Sequence, residues 1–266
     1  MPGIRPPAVA GMFYPADADE LSRWVRTMLV EAEQDVPPMQ NVKAIIAPHA
    51  GYVYSGPIAA HAFAALKEAA KRGDVHRIVL MGPAHTMPVI GIAAPAWDGF
   101  ATPLGVVPVD TEARARIAAL PQVHVDNAPH AREHALEVEL PFIQTLFPDV
   151  PVLPLVVGET TPEEVAEVME ALDDGHTLFI ISSDLSHYEP YERARMHDSI
   201  TAKRIEALDY AHIGPHDACG VRPLSGLLYE ARKRGWRPVL LDFRNSGDTA
   251  GDKSRVVGYG AWAFAA

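Results

Sequence analysis

The chain has 266 residues and a formal net charge of −11. An acidic balance without a basic cluster argues against a phosphate backbone as partner, so no nucleic acid is expected. With no apolar run of ~18 residues and no basic-then-apolar segment near the start, neither a membrane span nor a signal peptide is expected, and the single cysteine suits a reducing cytoplasm.

Hydrophobic residues make up 48% of the chain and charged ones 21%, the balance of a globular protein with a core that needs no disulfide. Strand-like and helical patterns alternate along it. "VKAIIA" (42–47) reads as a strand, and the alanine-rich stretch Ile58–Ala70 as a helix behind a glycine turn carrying Tyr52 and Tyr54. Ile78–Gly82 and Val89–Ala94 are the next strands, and turn signals within Trp97–Val109 predict a hairpin. Thr111–Leu120 and Ala135–Phe147 read as helices, the second with apolar positions 136, 140, 143 and 147 in helical spacing. Val152–Val157 and Thr177–Ser182 are strands around a proline-opened helix, Thr161–Leu172. Helices over Tyr191–Leu208 and Leu224–Arg234 follow. Strands Val239–Phe243 and Val256–Phe264 end the chain, joined by a long polar connection, Arg244–Ser254, that suits solvent or a mobile lid. Apolar runs this continuous suit strands covered on both faces, so one α/β domain over 1–266 is expected, a mostly parallel sheet sandwiched by helices.

In such a sheet, ligands bind beyond the carboxyl ends of the strands. Three strands here deliver polar groups to that position. "AIIAPHAG" places His49 there, "IVLMGPAHT" places His85, and "LFIISSDLSHY" places Asp184 and His187. Cys219 precedes a helix expected to begin near Pro223, where positive potential would favour thiolate. His134 stands three residues before Glu137, on one helical face, and Pro141 predicts a kink just beyond. Two imidazoles and a third anionic ligand would make a metal site with open positions. Asp184 would then orient His187 by a hydrogen bond, His187 would exchange protons with a ligand, and His134 would donate a hydrogen bond to it.

"PHAGYVYSG", "GPAH", "EHALEVELPF", "SSDLSHY" and "DACG", with "VAGMFYP" near the start and "GYGAWAF" at the end, resemble the Memo family along almost the whole chain. The resemblance implies a fold shared with class III extradiol dioxygenases, whose metal is non-haem iron(II). It implies His49, His85 and Cys219 as metal ligands, with Asp184, His187 and His134 as the catalytic and supporting set. Cys219 stands where those dioxygenases use glutamate, a departure that bears on ring cleavage because a thiolate alters the metal's charge and is itself oxidisable. Iron(II) is the first expectation for the cofactor, with copper or zinc as alternatives. The expected function is redox or oxygenase-type chemistry on a small molecule or peptide. The alternatives are a non-catalytic binding protein and, third, a zinc or cysteine-nucleophile hydrolase. Bacterial and archaeal relatives are often encoded beside a radical-SAM protein, so such companions, and a homo-oligomer, are possible partners.

Overall fold

The structure, a computed structural model, describes residues 3–266. Strand β1 (Ile4–Arg5) precedes helix α1 (Ala18–Ala32), and β2 (Val42–Ala47) leads into α2 (Tyr52–Ala64) and α3 (Lys67–Arg72). Next come β3 (Arg77–Pro83), β4 (Ile92–Ala94), the hairpin β5 (Gly99–Thr102) and β6 (Gly105–Pro108), then α4 (Thr111–Ile117) and β7 (Val123–Val125). Two short helices, α5 (His134–Glu137) and α6 (Leu140–Leu146), precede β8 (Val152–Val157), α7 (Pro162–Leu172) and β9 (Thr177–Ser182). The chain closes with β10 (His187–Glu189), α8 (Tyr191–Glu206), α9 (Val221–Arg234), β11 (Arg237–Asn245) and β12 (Val256–Ala265).

The main sheet runs β10-β12-β2-β9-β3-β8-β4-β7, with β11 also paired to β12. Its centre, β2-β9-β3-β8, is parallel. The flanks turn antiparallel, β12 against β2 and β4 against β8. The predicted hairpin forms, but in a separate three-stranded sheet with β1. Strands β3, β8 and β9 are buried along their whole length, which is why their sequences read as unbroken apolar runs. Among the described residues no helix is long and apolar enough to cross a membrane.

Two helices differ from the sequence reading. Helix α2 starts at Tyr52, so the two tyrosines lie in its first turn, and a bend at Ala65–Leu66 separates it from α3. Pro57 lies inside α2; near the helix start it forfeits only one backbone bond, so it did not mark the boundary. The stretch 135–147 is broken into α5 and α6, with Pro141 at the opening of α6. The helically spaced Leu136, Leu140, Ile143 and Phe147 nevertheless all face the core.

The order β2-β9-β3 decides the functional geometry. Ala47 is in register with Ser182, and Met81 with Ile181. Chain leaving these three strands therefore emerges side by side, carrying His49, Asp184 and His85 to one edge.

Candidate metal centre

His49 is buried two residues past the end of β2. Its Nδ1 lies 2.8 Å from Ser182 Oγ, on the neighbouring strand β9. With Nδ1 engaged behind it, Nε2 faces forward, 3.2 Å from Cys219 Sγ. Burial, then the charge of His85, pushes the His49 pKa down to about 3, so the ring is a neutral lone-pair donor at ordinary pH.

His85 is held from the side. Glu133, at the N-terminus of α5, accepts the His85 backbone N–H at 2.6 Å and Nδ1–H at 2.7 Å. Burial works against a charge on either partner. The ion pair outweighs it, so Glu133 is held down at about 2 and His85 is raised. Committing Nδ1 to the carboxylate leaves His85 Nε2 open. His134 follows Glu133 directly and stacks on His85 with ring centroids 4.8 Å apart and planes within 11°. Burial, followed by the charge of His49, lowers the His134 pKa to about 4. One ring nitrogen from each of His49, His85 and His134 lies within 4.8 Å of the other two.

The third wall is built around Asp184. Its carboxylate accepts the His49 backbone N–H at 2.8 Å, and its own N–H donates to Cys219 Sγ at 3.3 Å. The hydrogen bond expected from Asp184 to the His187 ring is not formed: Oδ1 accepts the His49 backbone N–H, and Oδ2 lies 3.9 Å from His49 Nε2. His187 stands exposed on β10, near enough that its charge affects both His49 and Asp184. The next residue, Tyr188, has φ 63°, a left-handed conformation uncommon for a non-glycine side chain and often found at functional edges. Helix α9 starts at Val221, closer to Cys219 than expected. Even so, burial, together with the Asp184 charge, raises the thiol pKa, so desolvation outweighs the helix terminus in the metal-free protein. A cavity of about 430 Å³ opens beside Cys219, walled by Pro83, Ala84, Val89, Val157 and Val221.

Glu137 does not pair with His134. It turns into the interior, accepting bonds from Tyr14 Oη (2.8 Å) and the Ala8 N–H (2.8 Å) beside Arg5. This network binds the N-terminal segment under α5 and sets the Phe13 ring 4.6 Å from that of His134.

The structure thus brings together His49, His85, His134, Cys219 and Asp184, and leaves His187 at the rim. Sequence reasoning missed Glu133, Ser182 and Phe13, the groups that orient the imidazoles. All three lie inside motifs quoted above, Glu133 at the head of "EHALEVELPF", Ser182 at the head of "SSDLSHY" and Phe13 within "VAGMFYP", but nothing local to them says which ring they would touch.

The donor set fits a transition metal. Two imidazoles are neutral, the back nitrogens of His49 and His85 are each engaged by an oxygen, and a sulfur adjoins the front nitrogen of His49. Fold and cluster define an α/β protein with a histidine-rich candidate metal centre at the carboxyl edge of a parallel sheet. The family model described as Memo-like protein matches residues 5–263, and the chain belongs to the Memo family. A MEMO1 family protein of Sulfolobus acidocaldarius is 36% identical, the match covering 96% of this chain and 97% of that one. One from Ignicoccus hospitalis is 38% identical over 98% of each chain, and one from Aquifex aeolicus 37% identical over 96% of this chain and 97% of that one. A crystal structure of an uncharacterized protein from Escherichia coli K12 shares the fold. Its TM-score is 0.50 at 13% identity, covering 84% of this chain and 99% of that chain.

Proposed function

We propose that this protein binds a single transition-metal ion and uses it for redox chemistry on a small molecule. His49 and His85 are the paired imidazole ligands, with His134 and Cys219 completing the donor set from either side. The observation that carries the reading is the convergence of three imidazoles, one ring nitrogen of each lying within 4.8 Å of the others. Iron(II) suits nitrogen donors and open positions, and copper or zinc would be favoured by the sulfur. When bound, iron or copper supplies one-electron and oxygen chemistry.

The chain's own residues then have separate tasks. Ser182 and Glu133 hold the His49 and His85 rings from behind. The largely apolar walls of the cavity beside Cys219 receive the body of the substrate. His187, exposed on β10 near His49 and Asp184, exchanges protons with whatever occupies the opening. A cysteine-nucleophile hydrolase with His187 as base is disfavoured, because the sulfur contacts Ser183, Asp184 and His49 rather than His187. Burial also raises the thiol pKa and pushes that of the adjoining His49 down to about 3.

Elemental analysis of anaerobically purified protein, with oxygen consumption measured over a catechol panel, tests the reading. Near-stoichiometric iron or copper that is depleted in Cys219→Ser supports it. Metal-free protein with a reactive thiol would overturn it, and metal without oxygen uptake would reduce the role to binding.

A further inference from the structure

Glu139 stands behind the histidine cluster and has no task in the reading above. Its residue is fully buried. It sits between α5 and α6 without capping α6 by its side chain, and its Oε2 meets no hydrogen-bond partner among the described residues. Its Oε1 lies 3.0 Å from Ser182 Oγ. An ionised carboxylate in this place would be a buried charge facing one hydroxyl, with most of its lone-pair sites empty.

Counting protons around Ser182 decides which form fits. Ser182 Oγ has three polar neighbours: the Ala135 carbonyl at 2.7 Å, His49 Nδ1 at 2.8 Å and Glu139 Oε1 at 3.0 Å. A hydroxyl offers one proton and two lone pairs. The Ala135 oxygen can only accept, so the shortest contact takes the serine proton. Both lone pairs must then receive protons, one from His49 Nδ1–H and one from Glu139. Were Glu139 ionised, two acceptors would compete for one proton, and one close oxygen–oxygen contact would be left without a hydrogen between them.

We infer that Glu139 is a protonated carboxylic acid that donates to Ser182, a positioning residue that helps hold His49 as the Nδ1–H tautomer with Nε2 turned to the metal. The inference deepens the metal-centre reading and rests on it for its functional meaning. A neutral acid here holds the Ser182 lone pairs in place without adding negative charge behind the imidazole. The centre keeps a neutral relay on the His49 side and an anionic one, Glu133, on the His85 side.

Two measurements on metal-free protein test this directly. Infrared spectra should show the carbonyl band of a protonated acid in the wild type that is absent from Glu139→Gln. Nitrogen-15 spectra of the His49 ring should show Nδ1–H in the wild type and in Glu139→Gln, whose amide still donates to Ser182. Ser182→Ala should lose that tautomer preference. With Co(II) as probe, Ser182→Ala should weaken binding about 10- to 100-fold, whereas Glu139→Gln should stay within about threefold of the wild type. Absence of the acid band, or a loss in Glu139→Gln equal to that in Ser182→Ala, would overturn the inference by marking an ionised carboxylate. Should wild-type protein fail to bind Co(II), the metal reading falls, while the two metal-free spectra still decide the protonation of Glu139 and the tautomer of His49.

Discussion

Glu133 grips His85 at two points, accepting its backbone N–H at 2.6 Å and its ring Nδ1–H at 2.7 Å. A side chain held at both ends loses little further freedom when its open nitrogen takes a ligand, and the carboxylate makes that nitrogen a better donor. Glu133→Gln keeps the shape and removes the charge. Titration with Co(II) should show affinity about 10- to 100-fold below that of the wild type, and the His85 pKa should fall toward or below its ordinary value. An unchanged affinity would mean that His85 is not a ligand.

Acid should unfold the metal-free protein through its neutral histidines. The His134 pKa is about 4 in the folded protein, and an unfolded histidine titrates near 6.5. Below about pH 6.5 the unfolded chain therefore binds the proton first. Stability from this group is complete above that pH and drains away as pH falls toward 4. His85, whose pKa is raised, contributes in the opposite sense, losing stability as pH rises above 6.5 through its folded value. Comparing wild type with His134→Asn cancels the groups remote from the centre. Between pH 7 and pH 4 the wild type should lose more unfolding free energy than the variant, by on the order of 2 kcal/mol. Equal losses would show that His134 is not buried as a neutral ring.

Glu137 ties the N-terminal segment beneath the centre. Its carboxylate is fully buried and meets Arg5, Tyr14 and the Ala8 N–H. Glu137→Ala would strand a buried guanidinium, at a cost of about 3–5 kcal/mol, which denaturant titration would record. Released from this anchor, Phe13 would no longer back His134. Proteolysis should then cut first near the N-terminus, and a first cut elsewhere would argue against the anchor.

Gly220 sets the position of Cys219 by lacking a side chain. A Cβ there would stand 2.7 Å from the Ser182 carbonyl oxygen and 2.7 Å from Ser183 Cβ. Its backbone conformation, φ −90°, is open to any residue, so the constraint is space alone. Gly220→Ala should cost about 1–3 kcal/mol from crowding and move the sulfur off His49. Metal content after purification should drop although no ligand has changed.

Much of the frame was legible because burial on both faces writes itself into sequence as apolar runs. The strands ending before His49, His85 and Asp184 were visible for that reason, and the parallel order of β2, β9 and β3 turned three separate strand ends into one edge. The start of α2 was harder to read, since Gly51 gives it no side-chain cap and Pro57 lies within its second turn. The broken helix at 138–139 had a better signal in Pro141.

The site was legible in its donors and less so in its supports. Histidine and cysteine announce chemistry by type. Ser182 and Glu139 are ordinary residues whose importance comes from a contact across 43 positions. The role of Glu137 was not legible, because helical spacing says which residues share a face, but not which partner a buried carboxylate finds outside the helix.

X-ray absorption at the metal edge of the loaded protein tests the central claim most directly. Nitrogen scatterers of imidazole type together with one sulfur shell, the sulfur lost in Cys219→Ser, is the predicted result. A spectrum with oxygen neighbours alone, unchanged in His49→Ala and His85→Ala, would contradict it.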